Sequence, residues 1–524
     1  MQAFDLYLIG WKIMDPHMLL IIFLGALLGT AVGVLPGLTV IMAISLIVPL
    51  TYSMNPIASI LLLLGVYCGG NYGGSITACL INIPGTPSAI MTTLDGHPLA
   101  KRGKVGLAIG MATIGSFVGG IISVIFLALF SPVLANFALK FKSLEICGVA
   151  IFGLSIIAYI SPGSTIKAIM AGIFGLLLAT IGFDPTLGIA RFTFGHSSLL
   201  SGIDFISAMI GLFGISEMLL AIEKSKGERD RALIQDKVNR TWDAFKYAIR
   251  LKLVLLRSSL VGVLIGIIPG PGGTIASITS YGLQKQISKH SNLMGKGSLE
   301  GIAAPENANN ACIGGAMVPL LSLGIPGDAV TALMMGAFII HGIVPGPMLY
   351  TTNPTMVSSI FIGLLIANFF VLIIGMTGAN FLGKALMIPS QILNGIIIAL
   401  CVIGTFAVKG SLFDTFIMLI FGVLGYFMAK GKVSKAPVVL GLVLGPIMEE
   451  NLRRWAVLAE GDFLNAFIKA VFTNPVTLTM FLATLVVLIA PIVSKKKHFS
   501  EEDINFSSEE SDFDPNEIIF AKKK

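Results

Sequence analysis

The sequence predicts an all-α polytopic membrane protein of about ten to twelve transmembrane spans, with broken helices or re-entrant hairpins, arranged as two inverted-topology repeats. Three observations predict it. Of 524 residues, 55% are hydrophobic and 12% charged, against roughly 25% charged in soluble proteins. Residues 16–94 contain no Asp, Glu, Lys or Arg, and further uncharged runs cover 105–139, 146–166, 258–284, 329–383, 385–408 and 470–494. Such runs exceed what a water-soluble core needs and suit a bilayer, which takes about 20 apolar residues to cross. Finally, a set of Pro-Gly motifs recurs in the two halves of the chain, with the charges of the adjoining loops reversed.

In chain order, the apolar segments are 18–50 and 57–92, both interrupted by Pro and Gly, then 105–139, 146–161, 164–183 and 203–222. After a charged stretch come 253–283 and 307–339, again interrupted, then 355–383, 385–408, 412–429, 436–448 and 470–494. The short segments 146–161 and 436–448 are expected to tilt, re-enter or be incomplete. The first run continues too far to be a cleavable signal peptide. Residues 1–222 therefore read as a first repeat half, 223–252 as a cytoplasmic connector with nine basic residues, and 253–494 as the second half. Residues 495–524 mix Lys clusters with an acidic, Ser-rich stretch and read as a disordered cytoplasmic tail.

The repeat itself is explicit. Gly33-Val34-Leu35-Pro36-Gly37 returns as Gly266-Ile267-Ile268-Pro269-Gly270. Asn71-Tyr72-Gly73-Gly74-Ser75 and Ile83-Pro84-Gly85 are echoed by Asn310-Ala311-Cys312-Ile313-Gly314-Gly315 and Ile325-Pro326-Gly327. Residues 51–59 have no Lys or Arg, while the matching 284–298 carry Lys285, Lys289 and Lys296. The next pair of loops reverses this: Lys101, Arg102 and Lys104 in the first half, none in 341–354. By the positive-inside rule, matching loops lie on opposite sides of the membrane.

Proline removes a backbone donor and glycine tolerates unusual angles, so Pro-Gly at membrane depth breaks a helix. Broken backbone is tolerated there where it is buried in protein or lines a cavity. It also frees a helix N-terminus whose amides suit a carboxylate. A lone Pro-Gly is more often a simple kink. Four in symmetric places, each beside Asn, Ser or Thr, point to a transport site. Ser75, Asn82, Pro84, Gly85, Thr86, Asn310, Gly324, Pro326 and Gly327 are the expected substrate contacts. Pro36, Gly37, Pro269, Gly270, Asn307 and Asp328 are the expected ion-coupling set, with freed carbonyls as cation ligands. All four prolines are expected to face one cavity, and alternating access to move one bundle against the other in an elevator-like stroke.

Other features have plainer readings. Gly25/Gly29/Gly33 and Gly115/Gly119 have small-xxx-small spacing and read as packing surfaces. Asp328 and Glu306 are intramembrane acids and so candidates for a substrate or ion role, with a helix N-cap the plain alternative for Asp328. Asp184, Asp204, Glu217 and Asp414 mark span ends, while His97, His341, Trp11, Trp242 and Trp455 read as interfacial. The five cysteines lie in apolar segments without metal-site spacing. Gly295-Lys296-Gly297-Ser298 lacks the phosphate-loop spacing. No catalytic triad, metal cluster or cofactor fingerprint stands out, so neither an enzyme nor a cofactor is expected. The net charge of +7 fits cytoplasmic Lys and Arg rather than a nucleic-acid partner.

These motifs resemble those of the tricarboxylate transporter large-subunit family. The resemblance rests on Tyr72-Gly73-Gly74-Ser75, Asn82-Ile83-Pro84-Gly85-Thr86-Pro87 and Asp95-Gly96-His97-Pro98-Leu99-Ala100 in the first half. In the second it rests on Pro269-Gly270-Pro271-Gly272-Gly273-Thr274, Gly295-Lys296-Gly297 and Glu300-Gly301-Ile302-Ala303-Ala304-Pro305-Glu306. It continues through Asn309-Asn310 and Leu323-Gly324-Ile325-Pro326-Gly327 to Gly342-Ile343-Val344-Pro345-Gly346-Pro347. Met294 and Ser322 depart from the Phe and Thr expected there, and the acidic tail lies outside the match, which runs from about residue 25 to 448. The resemblance implies a multi-pass inner-membrane permease that works with a periplasmic substrate-binding protein and a small four-helix membrane subunit. It would import di- or tricarboxylates such as citrate on a Na⁺ or H⁺ gradient. The alternatives are a self-sufficient secondary organic-anion transporter and, in another class, a membrane-embedded lipid-modifying enzyme. Six scattered histidines and no convergent acids argue against the enzyme.

Overall fold

The computed structural model describes residues 10–35, 37–160, 164–184, 188–224, 241–383, 390–459 and 462–493. Asp15-Pro16 and Asn55-Pro56 open the first two long helices. Each side chain accepts a backbone N–H, from Met18 at 2.8 Å and Ile57 at 2.9 Å, and proline fills the first helical position, where its missing donor is not needed. Helix α1 (Pro16–Val34) stops before the first Pro-Gly, and α2 (Val40–Leu50) restarts with Thr39 as its cap. Helix α3 (Pro56–Ile81) ends at Asn82, and α4 (Ile90–Leu99) leads into the 34-residue α5 (Val105–Ala138). Then come α6 (Ser143–Ile160), α7 (Thr165–Ala179), α8 (Phe205–Glu223) and α9 (Ala244–Arg250).

The opening order then recurs. Helix α10 (Lys252–Ile267) stops before Pro269-Gly270, α11 (Gly272–Ile287) follows it, and α12 (Leu299–Leu323) ends before Ile325-Pro326-Gly327. Helices α13 (Ala329–Ile340) and α14 (Pro354–Gly383) complete the series. The chain continues through α15 (Ser390–Lys409), α16 (Leu412–Lys430), α17 (Ala436–Leu458), α18 (Phe463–Thr473) and α19 (Pro475–Val493). The strand pairing among the described residues is a two-residue ribbon, Gly182–Phe183 against Ala190–Arg191.

Among the described residues, six helices are long and apolar enough to cross a membrane, or seven if the pair α18 and α19, bent by 101°, counts as one span. Five shorter apolar helices, α2, α7 and α13 among them, stand beside these. The fold is thus that of an all-α multi-pass membrane protein. Two short segments differ from expectation. Residues 146–160 of the first lie within an ordinary 18-residue helix, α6, and residue 161 lies outside the described residues. Segment 436–448 belongs to a 23-residue helix that continues into charged sequence. It continues because those charges are paired: Arg453 reaches Asp184 at 2.6 Å, and Glu449 meets Arg191 at 2.5 Å. Of the 223–252 connector, residues 225–240 lie outside the described residues, as does the 495–524 tail.

Glycine sets the packing. A methyl group at Gly25, Gly29 or Gly33 of α1 would stand 2.3–2.4 Å from the carbonyl oxygens of Leu62, Val66 or Gly70 on α3. Gly65, Gly69 and Gly73 return the contact against Ile22, Ala26 and Thr30. Without Cβ atoms, the two backbones close to touching distance, the way membrane helices gain dispersion energy when lipid removes the hydrophobic drive. Gly262 and Gly266 of α10 repeat the seam against Ala308 and Cys312 of α12. The opposite face of α1 carries Leu20, Leu24 and Leu28, half exposed, as a lipid-facing row.

The halves interlock. Helix α5 lies along α12, with Gly119 on the Asn307 carbonyl, and α14 lies along α3, with Gly363 on Leu61. At the periphery, α6 and α7 are completed by α17 of the other half through Gly175 and Gly441. Helices α15 and α16 are completed by α8 through Gly211 and Gly425.

Candidate functional site

The observed contacts join the Pro-Gly breaks in two pairs, one in each half. In the first, the Gly85 N–H donates to the Gly74 carbonyl at 3.2 Å, and a methyl at Gly85 would stand 2.0 Å from the Gly33 carbonyl oxygen. In the second, the Gly270 N–H donates to the Gly327 carbonyl at 2.7 Å. A methyl at Gly327 would stand 2.8 Å from the Gly266 carbonyl oxygen and 2.6 Å from the Ala316 Cα. Each Ile-Pro-Gly loop thus folds back over the end of the helix that precedes the other break of its half. Pro36 lies outside the described residues, and its neighbour Gly37 takes φ +88° with open space around it.

The two long helices end alike: Asn82 at φ 56° and Gly324 at φ 70° are both left-handed C-caps. Counting back from those caps aligns Gly73 with Gly315, which make the same contacts, to Gly33 and Gly266. Asn71 then matches Ile313 rather than Asn310, so the echo of the two asparagines is offset by three residues from the structural equivalence.

The expected site residues divide by what holds them. Asn82 is exposed at its cap, while Ser75 is buried and donates to the Tyr72 carbonyl of its own helix at 2.7 Å. Thr86 and Ser88 pair hydroxyls at 3.1 Å. Asp328 is the N-cap of α13: it accepts the Thr331 N–H at 2.8 Å in a reciprocal capping box, and its other oxygen accepts the Tyr67 hydroxyl of α3. That carboxylate already occupies the positive end of α13, so this helix start is poorly suited to a second anion. Pro84, Pro326 and Gly327 lie in the paired loops, and Pro269, Gly270 and the uncapped start of α11 are half-buried.

A row of buried asparagines runs along α12, and one of them, Asn309, reaches the first half. The Asn307 Oδ1 accepts from Ser259 at 2.8 Å, Asn309 donates to the Asn71 carbonyl at 3.1 Å, and Asn310 donates to the Glu306 carbonyl at 3.3 Å. Asn307 Nδ2, Asn309 Oδ1, Asn310 Oδ1 and Ser277 Oγ have no protein partner. A buried amide left half satisfied is costly unless a ligand or water completes it. An apolar groove of about 340 Å³ between α6, α7, α17 and α19, lined by Leu144, Ile151, Leu176, Met448 and Phe481, includes no residue of the breaks.

Two buried acids complete the picture. Asp95 was expected only as part of a family motif. It is fully buried, and one oxygen accepts the N–H groups of Gly295, Gly297 and Ser298 at 2.9, 2.9 and 2.7 Å, while Tyr281 donates to the other at 3.0 Å. Gly295 and Gly297, at φ +91° and +102°, turn those amides inward, forming a nest for an anion. The Gly-Lys-Gly-Ser run that fails as a phosphate loop therefore binds a carboxylate of its own chain. Glu306 is also fully buried. It accepts the Thr92 hydroxyl of α4 and, at 3.3 Å, the Ser116 hydroxyl of α5.

Long glycine-seamed helices, spans broken in matching places and uncompensated polar side chains at mid-chain define a multi-pass membrane transport protein. The chain belongs to the tripartite tricarboxylate transporter TctA family, whose model matches residues 19–440. It is 37% identical over 486 residues to an Agrobacterium vitis protein described as "Uncharacterized 52.8 kDa protein in TAR-I ttuC' 3'region", covering 92% of this chain and 95% of that one. A second Agrobacterium vitis protein, from a TAR-II ttuC' 3'region, is 36% identical over 247 residues, 46% of this chain and all of its own length. No solved structure matches the chain significantly.

Proposed function

We propose that this chain is the large inner-membrane permease subunit of a binding-protein-dependent importer of di- and tricarboxylates, driven by a Na⁺ or H⁺ gradient. Family membership supports the transported class. The observation that carries the mechanism is the pairing of breaks, Gly85 on Gly33 and Gly327 on Gly266 and Gly270. In this reading the paired breaks lie at membrane depth, where non-helical backbone is tolerated when it is buried in protein or lines a cavity. In this reading residues 1–222 and 253–494 are inverted repeats joined by the 223–252 connector. The contact of Gly297 with Leu99 and Arg102 supports it, because both loops are basic and belong on the cytoplasmic side.

Substrate carboxylates meet Asn82–Thr86 and the α12 asparagines, with Gly324–Gly327 closing the opposite wall. A periplasmic binding protein delivers the anion, and a small four-helix subunit completes the membrane complex. Uptake of labelled citrate, succinate and malate in right-side-out vesicles tests this. Accumulation is expected only with the binding protein and an imposed gradient. Full accumulation without the binding protein would identify a self-sufficient transporter, and accumulation after both gradients collapse would refute secondary transport.

A further inference from the structure

Glu306 differs from the other buried acids in what surrounds it. Asp95 has four donors in a built nest, and Asp328 caps a helix. Glu306 has two hydroxyls and, among the described residues, no ion pair. Its neighbours offer no compensating cation. Helix α5 carries no charged residue. On α3 the titratable neighbours are Tyr72 and Cys79, neither a cation. On α4, Asp95 is committed to its nest and the His97 ring is turned to the Cys79 carbonyl at 3.1 Å, and on α11 Tyr281 is turned to Asp95. On α10, Arg257 reaches Gln284 at 3.2 Å, and at α13 Asp328 is bound to Tyr67 and Thr331.

A fully desolvated carboxylate without a cation is expensive to keep ionised, and an acid at membrane depth marks an ion or proton path by default. The partner type is informative. A lysine or arginine would hold Glu306 in its charged form, whereas a hydroxyl is both donor and acceptor. Thr92 and Ser116 donate to the carboxylate, and either can turn to accept from the carboxylic acid, so both states keep their hydrogen bonds. A metal cation would need several oxygen ligands, and the side-chain contacts of Glu306 are these two hydroxyls.

We propose that Glu306 is the coupling site of this transporter and that the coupled ion is H⁺. The carboxylate takes one proton from the outer side, becoming a neutral acid, and releases it inward as α12 shifts against α4 and α5, with no other bond made or broken. Thr92 follows the Pro84-Gly85 break, and Glu306 directly precedes the asparagine row that runs from Asn307 to Asn310. Reversal of one hydroxyl bond therefore links proton occupancy to both walls of the substrate site. This rests on the carboxylate-import reading above.

The test uses membrane vesicles holding the complete system with its binding protein, and labelled citrate, succinate and malate as probes. The wild type should accumulate label under an inward H⁺ gradient. Glu306→Gln, which mimics the neutral acid, should lose that accumulation yet keep exchange of labelled for unlabelled substrate without a gradient. Glu306→Asp should restore accumulation. The wild type should also show an infrared carboxylic-acid C=O band that titrates with pH and is absent from Glu306→Gln. Gradient-driven accumulation by Glu306→Gln, loss of exchange together with accumulation, a wild type driven by Na⁺ alone, or an unchanged infrared band would each overturn the proposal. A wild type that carries none of the three probes would instead sink the carboxylate reading, with the infrared band left to decide the role of Glu306.

Discussion

Replacing Asp95 by Ala would remove the acceptor from three buried backbone N–H groups and one tyrosine hydroxyl at once. Each orphaned buried donor costs about 1–3 kcal/mol. Because the 295–298 loop relaxes and such costs do not add, the expected loss is about 3–5 kcal/mol. Asp95→Asn keeps the oxygen that serves the three amides and forfeits only the charge assistance, so about 1–2 kcal/mol is expected. The five buried free cysteines supply the assay: a thiol-reactive fluorophore reports their exposure as detergent-solubilised protein is melted at one scan rate. Gly301 makes the reasoning sharper, since a methyl there would stand 1.9 Å from the Asp95 Oδ2. Gly301→Ala should therefore destabilise by expelling the carboxylate, and should add little when Asp95 is already Ala. Fully additive costs in that double-mutant cycle, or an Asp95→Ala variant that melts with the wild type, would refute the nest as a structural clamp.

Gly85→Ala must push its methyl into the Gly33 carbonyl, so a loss of about 1–3 kcal/mol with failed uptake is expected. Gly37→Ala has open space and pays only for its positive φ, about 1–2 kcal/mol, in the same melting assay. Asn82 sits at φ 56°, so Asn82→Ala mixes backbone strain with loss of the amide. Asn82→Gly removes the strain and should melt like wild type while citrate uptake is lost; normal uptake would restrict Asn82 to its capping role.

The sequence legibly carried what period and proline can encode. Gly25/Gly29/Gly33 announced a close seam and the repeated Pro-Gly pairs announced the breaks, whereas the helix starts at Asp15-Pro16 and Asn55-Pro56 carried a capping signal that hydropathy alone passes over. The end of α17 was hidden because hydropathy falls at residue 448, and only the fold reveals that Arg453 and Glu449 find partners near residues 184 and 191. Asp95 was invisible as an anchor for a related reason. Its donors lie some 200 residues away on a loop with no length or charge signal for a carboxylate, although two glycines around a lysine were the available clue. The false echo of Asn71 and Asn310 arose because paired glycines can be matched in more than one register. Only the left-handed caps at Asn82 and Gly324 fix it.

The exchange of helices between halves has a consequence for biogenesis. When residues 1–222 have entered the bilayer, α3 and α5 still lack α14 and α12, and the Gly119 surface and the Ser116 hydroxyl face lipid rather than protein. Helices α6 and α7 are equally unfinished until α17 arrives, near the end of synthesis. Insertion can thus proceed span by span, but consolidation cannot proceed half by half. The nascent first half must wait in the membrane as a loose set of helices, open to capture by quality-control proteases, until the last third of the chain closes it.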